Sequence, residues 1–157
     1  MTRYHSFPEH GIRGQRTARA RLSGLDVLQE KQFDSVLDLG CAEGLITAHF
    51  ARNGARVVHG FEGHQERVDF ANQYHAELLN QLCDNWGFYQ GDFSDLLAFY
   101  EQFQDILLPK YDVVLALGVF HKAQGEQARR IVHQLCSRCG KYLLYRGNMA
   151  TDPDFLN

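Results

Sequence analysis

At 157 residues, with 45% hydrophobic and 22% charged residues and a formal net charge of −3, the chain has the size of one domain and enough apolar side chains to bury a core. The slight acidity argues against a general nucleic-acid binder, which is usually basic, and no apolar run nears the ~20 residues that a membrane span needs. The cysteines Cys41, Cys83, Cys136 and Cys139 follow no secreted disulfide spacing and no signal peptide opens the chain, so a reduced, cytoplasmic setting is expected.

Residues 1–14 read as irregular, with Pro8, Gly11 and Gly14 among Tyr4, His5 and Arg13. Gln15 to Gln29 places apolar residues among arginines and predicts a helix with a basic face at Arg16, Arg19 and Arg21. Ser35–Leu39 is a short apolar strand and Gly44–Arg52 a helix, stopped by Asn53-Gly54. Arg56–Glu62 is a second strand ending in an acid, and Gln65–Leu79 a second long helix. Trp86–Gln90 is a third strand, and Ser94 is the expected cap of a helix reaching about Phe103. Tyr111–Leu117, the most continuous apolar run, is a central strand. Gly125–Cys136 is helical, Gly140 is expected to stop it, and Lys141–Tyr145 is the fifth strand. Cys136-Ser137-Arg138-Cys139 lacks the second pair that zinc would need, so no metal is expected. Strand and helix alternate five times, which predicts an α/β fold: a doubly wound parallel sheet with right-handed crossovers and helices on both faces.

Chemistry is expected at the first strand-to-helix turn, Asp38-Leu39-Gly40-Cys41-Ala42-Glu43-Gly44. Gly40 and Gly44 let a ligand approach the backbone, and the helix start offers unpaired amides. A dinucleotide loop would want glycines at Ala42 and Leu45, and a Walker loop would want Lys-Ser/Thr where Leu45-Ile46 stands. In an open parallel sheet, ligands lie at the carboxyl ends of the strands. The first strand ends in Gly40-Cys41-Ala42. The second ends in Glu62-Gly63, whose carboxylate suits a ribose diol. The third leads to Asp92-Phe93, an acid and a ring suited to the edge and face of an adenine. The fourth runs into Leu117-Gly118-Val119-Phe120-His121, which could close over the ligand.

The spacing of the turn resembles the first motif of class I S-adenosylmethionine (SAM)-dependent methyltransferases, and with the other strand ends the resemblance covers about residues 35–145. It implies a Rossmann-like sheet of order 3-2-1-4-5, SAM as cofactor and methyl transfer as activity. Cys41-Ala42-Glu43-Gly44, Val119-Phe120-His121 and Gln15-Arg16 are similar to the methyltransferase domain of the bifunctional kinase–methyltransferases that cap bacterial O-antigen chains. That likeness implies that Tyr4 and Arg16 reach the methionine end of SAM, Arg16 by a two-pronged contact with its carboxylate. The cofactor-binding set so implied is Tyr4, Arg16, Asp38, Gly40, Cys41, Ala42, Gly44, Glu62, Gly63, Asp92, Phe93, Leu117 and Val119.

A hydroxyl acceptor would need a base, for which His121 is the first candidate and His5 the second. The expected acceptor is a small molecule or a saccharide. Class I methyltransferases continue past the fifth strand with a helix and an antiparallel strand pair, and Arg146 to Asn157 are too few to form them. The chain, taken as one domain with an amino-terminal lid over residues 1–30 and a core over 35–145, is therefore expected to be a minimal version or a piece of a longer protein. Its fifth strand would be an open edge covered by a second domain or a second copy. A SAM-binding module without activity, serving as sensor or structural half of a complex, stays open as an alternative. A nicotinamide-dependent oxidoreductase is disfavoured by Ala42 and Leu45.

Overall fold

The structure, a computed structural model, describes residues 3–8, 11–28 and 31–146. Five strands, β1 (Ser35–Leu39), β2 (Val57–Glu62), β3 (Asn85–Gln90), β4 (Tyr111–Leu117) and β5 (Cys139–Arg146), form one sheet. Its order is β3-β2-β1-β4-β5, and every pairing is parallel. The helices are α1 (Ala18–Leu22), α2 (Leu45–Arg52), α3 (Gln65–Leu82), α4 (Leu96–Gln102) and α5 (Gly125–Cys136).

Both faces of the sheet are covered, because its central strands carry apolar residues at successive positions. Val36, Val58, Val113 and Leu115 face one way, onto Ile46 and Phe50 of α2 and Val68, Ala71 and Leu79 of α3. Leu37, Leu39, Phe61, Val114 and Ala116 face the other way, onto Leu96 and Phe99 of α4 and Leu135 of α5. This two-sided cover is why β1 and β4 read as continuous apolar runs rather than as alternating ones.

Beyond shifts of one to three residues at the ends of α3, β3 and β5, several expectations about local structure change. The helix expected over 15–29 is only α1 followed by a 3-10 turn, Leu25–Leu28. Gly24, at φ +85, lies in the left-handed region between them, where a helix stops. Asp95, not Ser94, caps α4, its carboxylate accepting from the Leu97 and Ala98 amides. Gly140 lies inside β5 and does not end α5, whose cap is Ser137. The amino-terminal stretch, expected to be irregular through Gly14, carries two isolated bridges among its described residues, His5 to Arg16 and Phe7 to Ile12. The stretch after Arg146, where an antiparallel strand pair was judged not to fit, lies outside the described residues.

Candidate functional site

The turn after β1 is built from three left-handed residues, Gly40, Ala42 and Gly44, at φ +79, +50 and +77. Gly44 must lack a side chain, since a Cβ there would lie 2.6 Å from the Phe88 ring. The amides of Gly40 and Cys41 donate to the Phe61 carbonyl, and that of Gly44 to the Cys41 carbonyl. The Ala42 amide donates to Glu62 Oε2 at 3.0 Å. The amides of Gly40, Cys41, Ala42 and Gly44 are thus spent within the protein.

Beside the turn lies a cavity of about 370 Å³. Tyr4, Gly40, Ala42, Glu62, Leu117, Val119 and His121, all expected at a site, line it together with Arg21, His64, Arg67 and Gly118. Glu62 is 7% exposed. Its Oε1 accepts the His64 amide at 3.2 Å and faces Arg67 Nη1 at 3.4 Å, so the carboxylate is held in one orientation. Tyr4 stands between two guanidinium groups, Arg21 and Arg67, whose carbons lie 5.2 and 5.6 Å from its ring centre. The Nε atoms of both arginines are buried without a hydrogen-bond partner. His121 is exposed, and its Nδ1–H donates to the Gly118 carbonyl at 2.9 Å. That contact leaves Nε2 as the acceptor nitrogen.

Gly63, Asp92 and Phe93 line an adjoining cavity of about 470 Å³, on the β3 side of Glu62. Hydrogen bonds from Ser94 hold the Asp92 carboxyl below its ordinary range.

The other expected residues lie elsewhere. Arg16 is exposed and outside the cavity lining; its backbone pairs with Tyr4 and Ser6. Arg21, one turn or so further along, takes the place by the cavity. His5 is 1% exposed. Burial, then the charges of Arg21 and Arg67, push its imidazole down to about 3, and it is not among the residues that line the cavity. Asp38, buried beneath the turn, accepts the Thr47 hydroxyl at 2.7 Å. Cys41 is buried too, and burial followed by the nearby carboxylates Asp38 and Glu62 pushes its thiol up. The first-turn position of Arg67, five residues after Glu62, was a signal the sequence did carry. Arg21 was visible only as one of three arginines on a basic stretch. Among the described residues no group of three His, Cys, Asp or Glu side chains is arranged to hold a metal ion, and no helix is long and apolar enough to cross a membrane.

A family model described as a methyltransferase domain matches residues 37–142. A comparison with curated proteins finds no match. Among solved structures, the fold is similar to magnesium protoporphyrin IX methyltransferase (ChlM) from Synechocystis PCC 6803, with bound SAH: 24% identity, TM-score 0.56, over 80% of this chain and 52% of that one. It is similar to WbdD, a bifunctional kinase-methyltransferase, at 22% identity and TM-score 0.66 over 88% of this chain and 32% of that one. TehB from Haemophilus influenzae matches at 18% identity and TM-score 0.54, over 74% of this chain and 36% of that one. The chain thus spans about half of the first structure and about a third of the other two.

Proposed function

Because the chain belongs to the methyltransferase domain family, whose model covers residues 37–142, we propose that it binds SAM in the cavity beside the glycine turn and transfers the methyl group to a small-molecule or saccharide acceptor. One observation carries this reading: a fixed carboxylate and two guanidinium groups with unpartnered Nε atoms share one cavity. SAM has a ribose diol near its middle and an amino-acid carboxylate at one end. Glu62 suits the diol. Arg21 and Arg67, both in the cavity wall, suit the carboxylate. Gly63, Asp92 and Phe93 stand where the adenine would extend into the adjoining cavity. The neighbours ChlM, with bound SAH, and WbdD, a kinase-methyltransferase, support the cofactor and the class of reaction.

When bound, SAM supplies an electrophilic methyl group on a sulfonium. The protein's part is alignment, which supplies up to about 7–11 kcal/mol of a displacement barrier. Val119, packed over Gly40, and Leu117 exclude water from that end of the cavity. For a hydroxyl acceptor, His121 Nε2 takes the proton as the oxygen attacks; a phosphate or carboxylate needs no base. β5 is the last strand of the sheet order and its residues 142–145 are only half-buried, so a second domain or a second copy along that edge belongs to the proposal.

Calorimetry tests it. S-adenosylhomocysteine (SAH) binds the wild type, and Arg21→Ala or Arg67→Ala weakens it by roughly tenfold to a hundredfold, the scale of a lost charged hydrogen bond. 5'-Methylthioadenosine, which lacks the carboxylate, binds all three proteins alike, and Arg16→Ala leaves both ligands unchanged. Binding of NADH in place of SAH overturns the reading. SAH binding without turnover of SAM on any acceptor supports the non-catalytic binding module instead.

A further inference from the structure

Glu43 is a fully buried carboxylate, 0% exposed, inside the turn. Its Oε1 accepts the Tyr4 amide at 2.7 Å and its Oε2 the His5 amide at 3.1 Å. His5 Nδ1 lies 3.3 Å from the same Oε2. A buried carboxylate costs several kcal/mol unless its oxygens are matched by donors. Here the donors are consecutive backbone amides of a segment almost forty positions away in sequence. Packing alone would be served by an apolar side chain of the same size. The turn itself is pinned from behind, since His75 Nε2–H of α3 donates to the Glu43 carbonyl at 3.0 Å. The segment is seated on the same helix: Phe7 lies against Phe70, Tyr74 and His75, with ring centres 5.5, 4.6 and 6.0 Å apart.

We propose that Glu43 is a positioning residue that fastens residues 3–7 to the glycine turn and so fixes Tyr4 in the cavity wall between Arg21 and Arg67. Glu43 does not line the cavity; it acts through Tyr4, whose amide it holds and whose ring touches the space. An occupied cavity and a fastened segment then favour one another, because each requires Tyr4 in the same place. The inference rests on the cavity being the SAM site.

The test compares the wild type with Glu43→Gln, which keeps the shape but turns one amide acceptor into a donor. SAH, which extends to the arginines beside Tyr4, should bind Glu43→Gln tenfold or more weakly. 5'-Methylthioadenosine should bind within twofold of the wild type. Glu43→Asp, which keeps both acceptors on a shorter stem, should recover part of the loss. Trypsin reads the fastening directly, at the exposed Arg13 and Arg16: cleavage there should be faster in Glu43→Gln, and SAH should slow it in the wild type. Equal losses for both ligands with unchanged cleavage overturn the proposal, as does a Glu43→Gln variant that matches the wild type in every assay. Should that variant fail to fold, absence of SAH protection at Arg13 and Arg16 in the wild type overturns it. If the wild type binds neither ligand, the SAM reading fails, while faster cleavage of Glu43→Gln still supports the fastening.

Discussion

Asp38 and His5 are both buried close to the glycine turn, and burial shifts each side chain toward its neutral form. For Asp38 it raises the carboxyl from 3.8 to about 6, against the pull of the Thr47 hydroxyl. The folded protein therefore keeps a proton there that the unfolded chain releases between about pH 4 and about pH 6. Stability falls as pH rises through that window, by at most ~3 kcal/mol at ~1.4 kcal/mol per unit. His5 runs the other way. Its folded value of about 3 lies below the ordinary 6.5, so its contribution is present above 6.5 and lost as pH falls toward 3. The windows overlap and mask each other in the wild type alone. Asp38→Asn separates them, since an amide still accepts from Thr47. Urea melts should show the variant gaining on the wild type by up to ~3 kcal/mol between about pH 4 and about pH 7; a difference that ignores pH would mean that Asp38 ionises as it does in water. The sequence ranks His121 above His5 by its place after the fourth strand, but it could not show how differently the two are buried. Both are histidines beside loop residues, and what separates them is burial by Glu43 and α3 in one case and exposure beside Gly118 in the other.

The strands were legible because each is an apolar run bounded by turn residues. β4 was placed at Tyr111–Leu117 and α5 at Gly125–Cys136, the ranges the structure has. What was not legible is which of two neighbouring polar residues a helix end uses. Ser94-Asp95 is a pair of good caps, and the backbone chooses Asp95 at φ −124, with Leu97 and Ala98 as its donors. Asp95→Ala should then cost about 0.5–2 kcal/mol in a thermal or urea melt, and Ser94→Ala much less. The reverse ranking would put the cap back on Ser94. Likewise three arginines over 16–21 look alike in sequence. The break at Gly24 and the bridge between His5 and Arg16 turn Arg16 outward and leave Arg21 by the cavity, and neither event has a local signature.

Across the molecule, two parts of the cavity wall come from strands far apart in the chain. Gly40 and Ala42 follow β1, while Leu117, Gly118 and Val119 end and follow β4. β1 and β2 are neighbours through one helix, whereas β4 reaches β1 from far along the chain: the Asp112 amide donates to Ser35 Oγ across 77 positions, at 3.0 Å. Closing so long a loop is the slow kind of contact in folding. The first part can stand before the second arrives, but the cavity exists only once β4 has docked. A ligand of that cavity recognises the finished molecule and no earlier one. SAH should therefore leave the refolding rate unchanged and slow unfolding, by the full factor of its stabilisation. Stopped-flow jumps with and without ligand measure both limbs. Faster refolding with SAH would mean that β4 is already in place at the rate-limiting step, and the lifetime of the folded protein would then depend less on how often its site is filled.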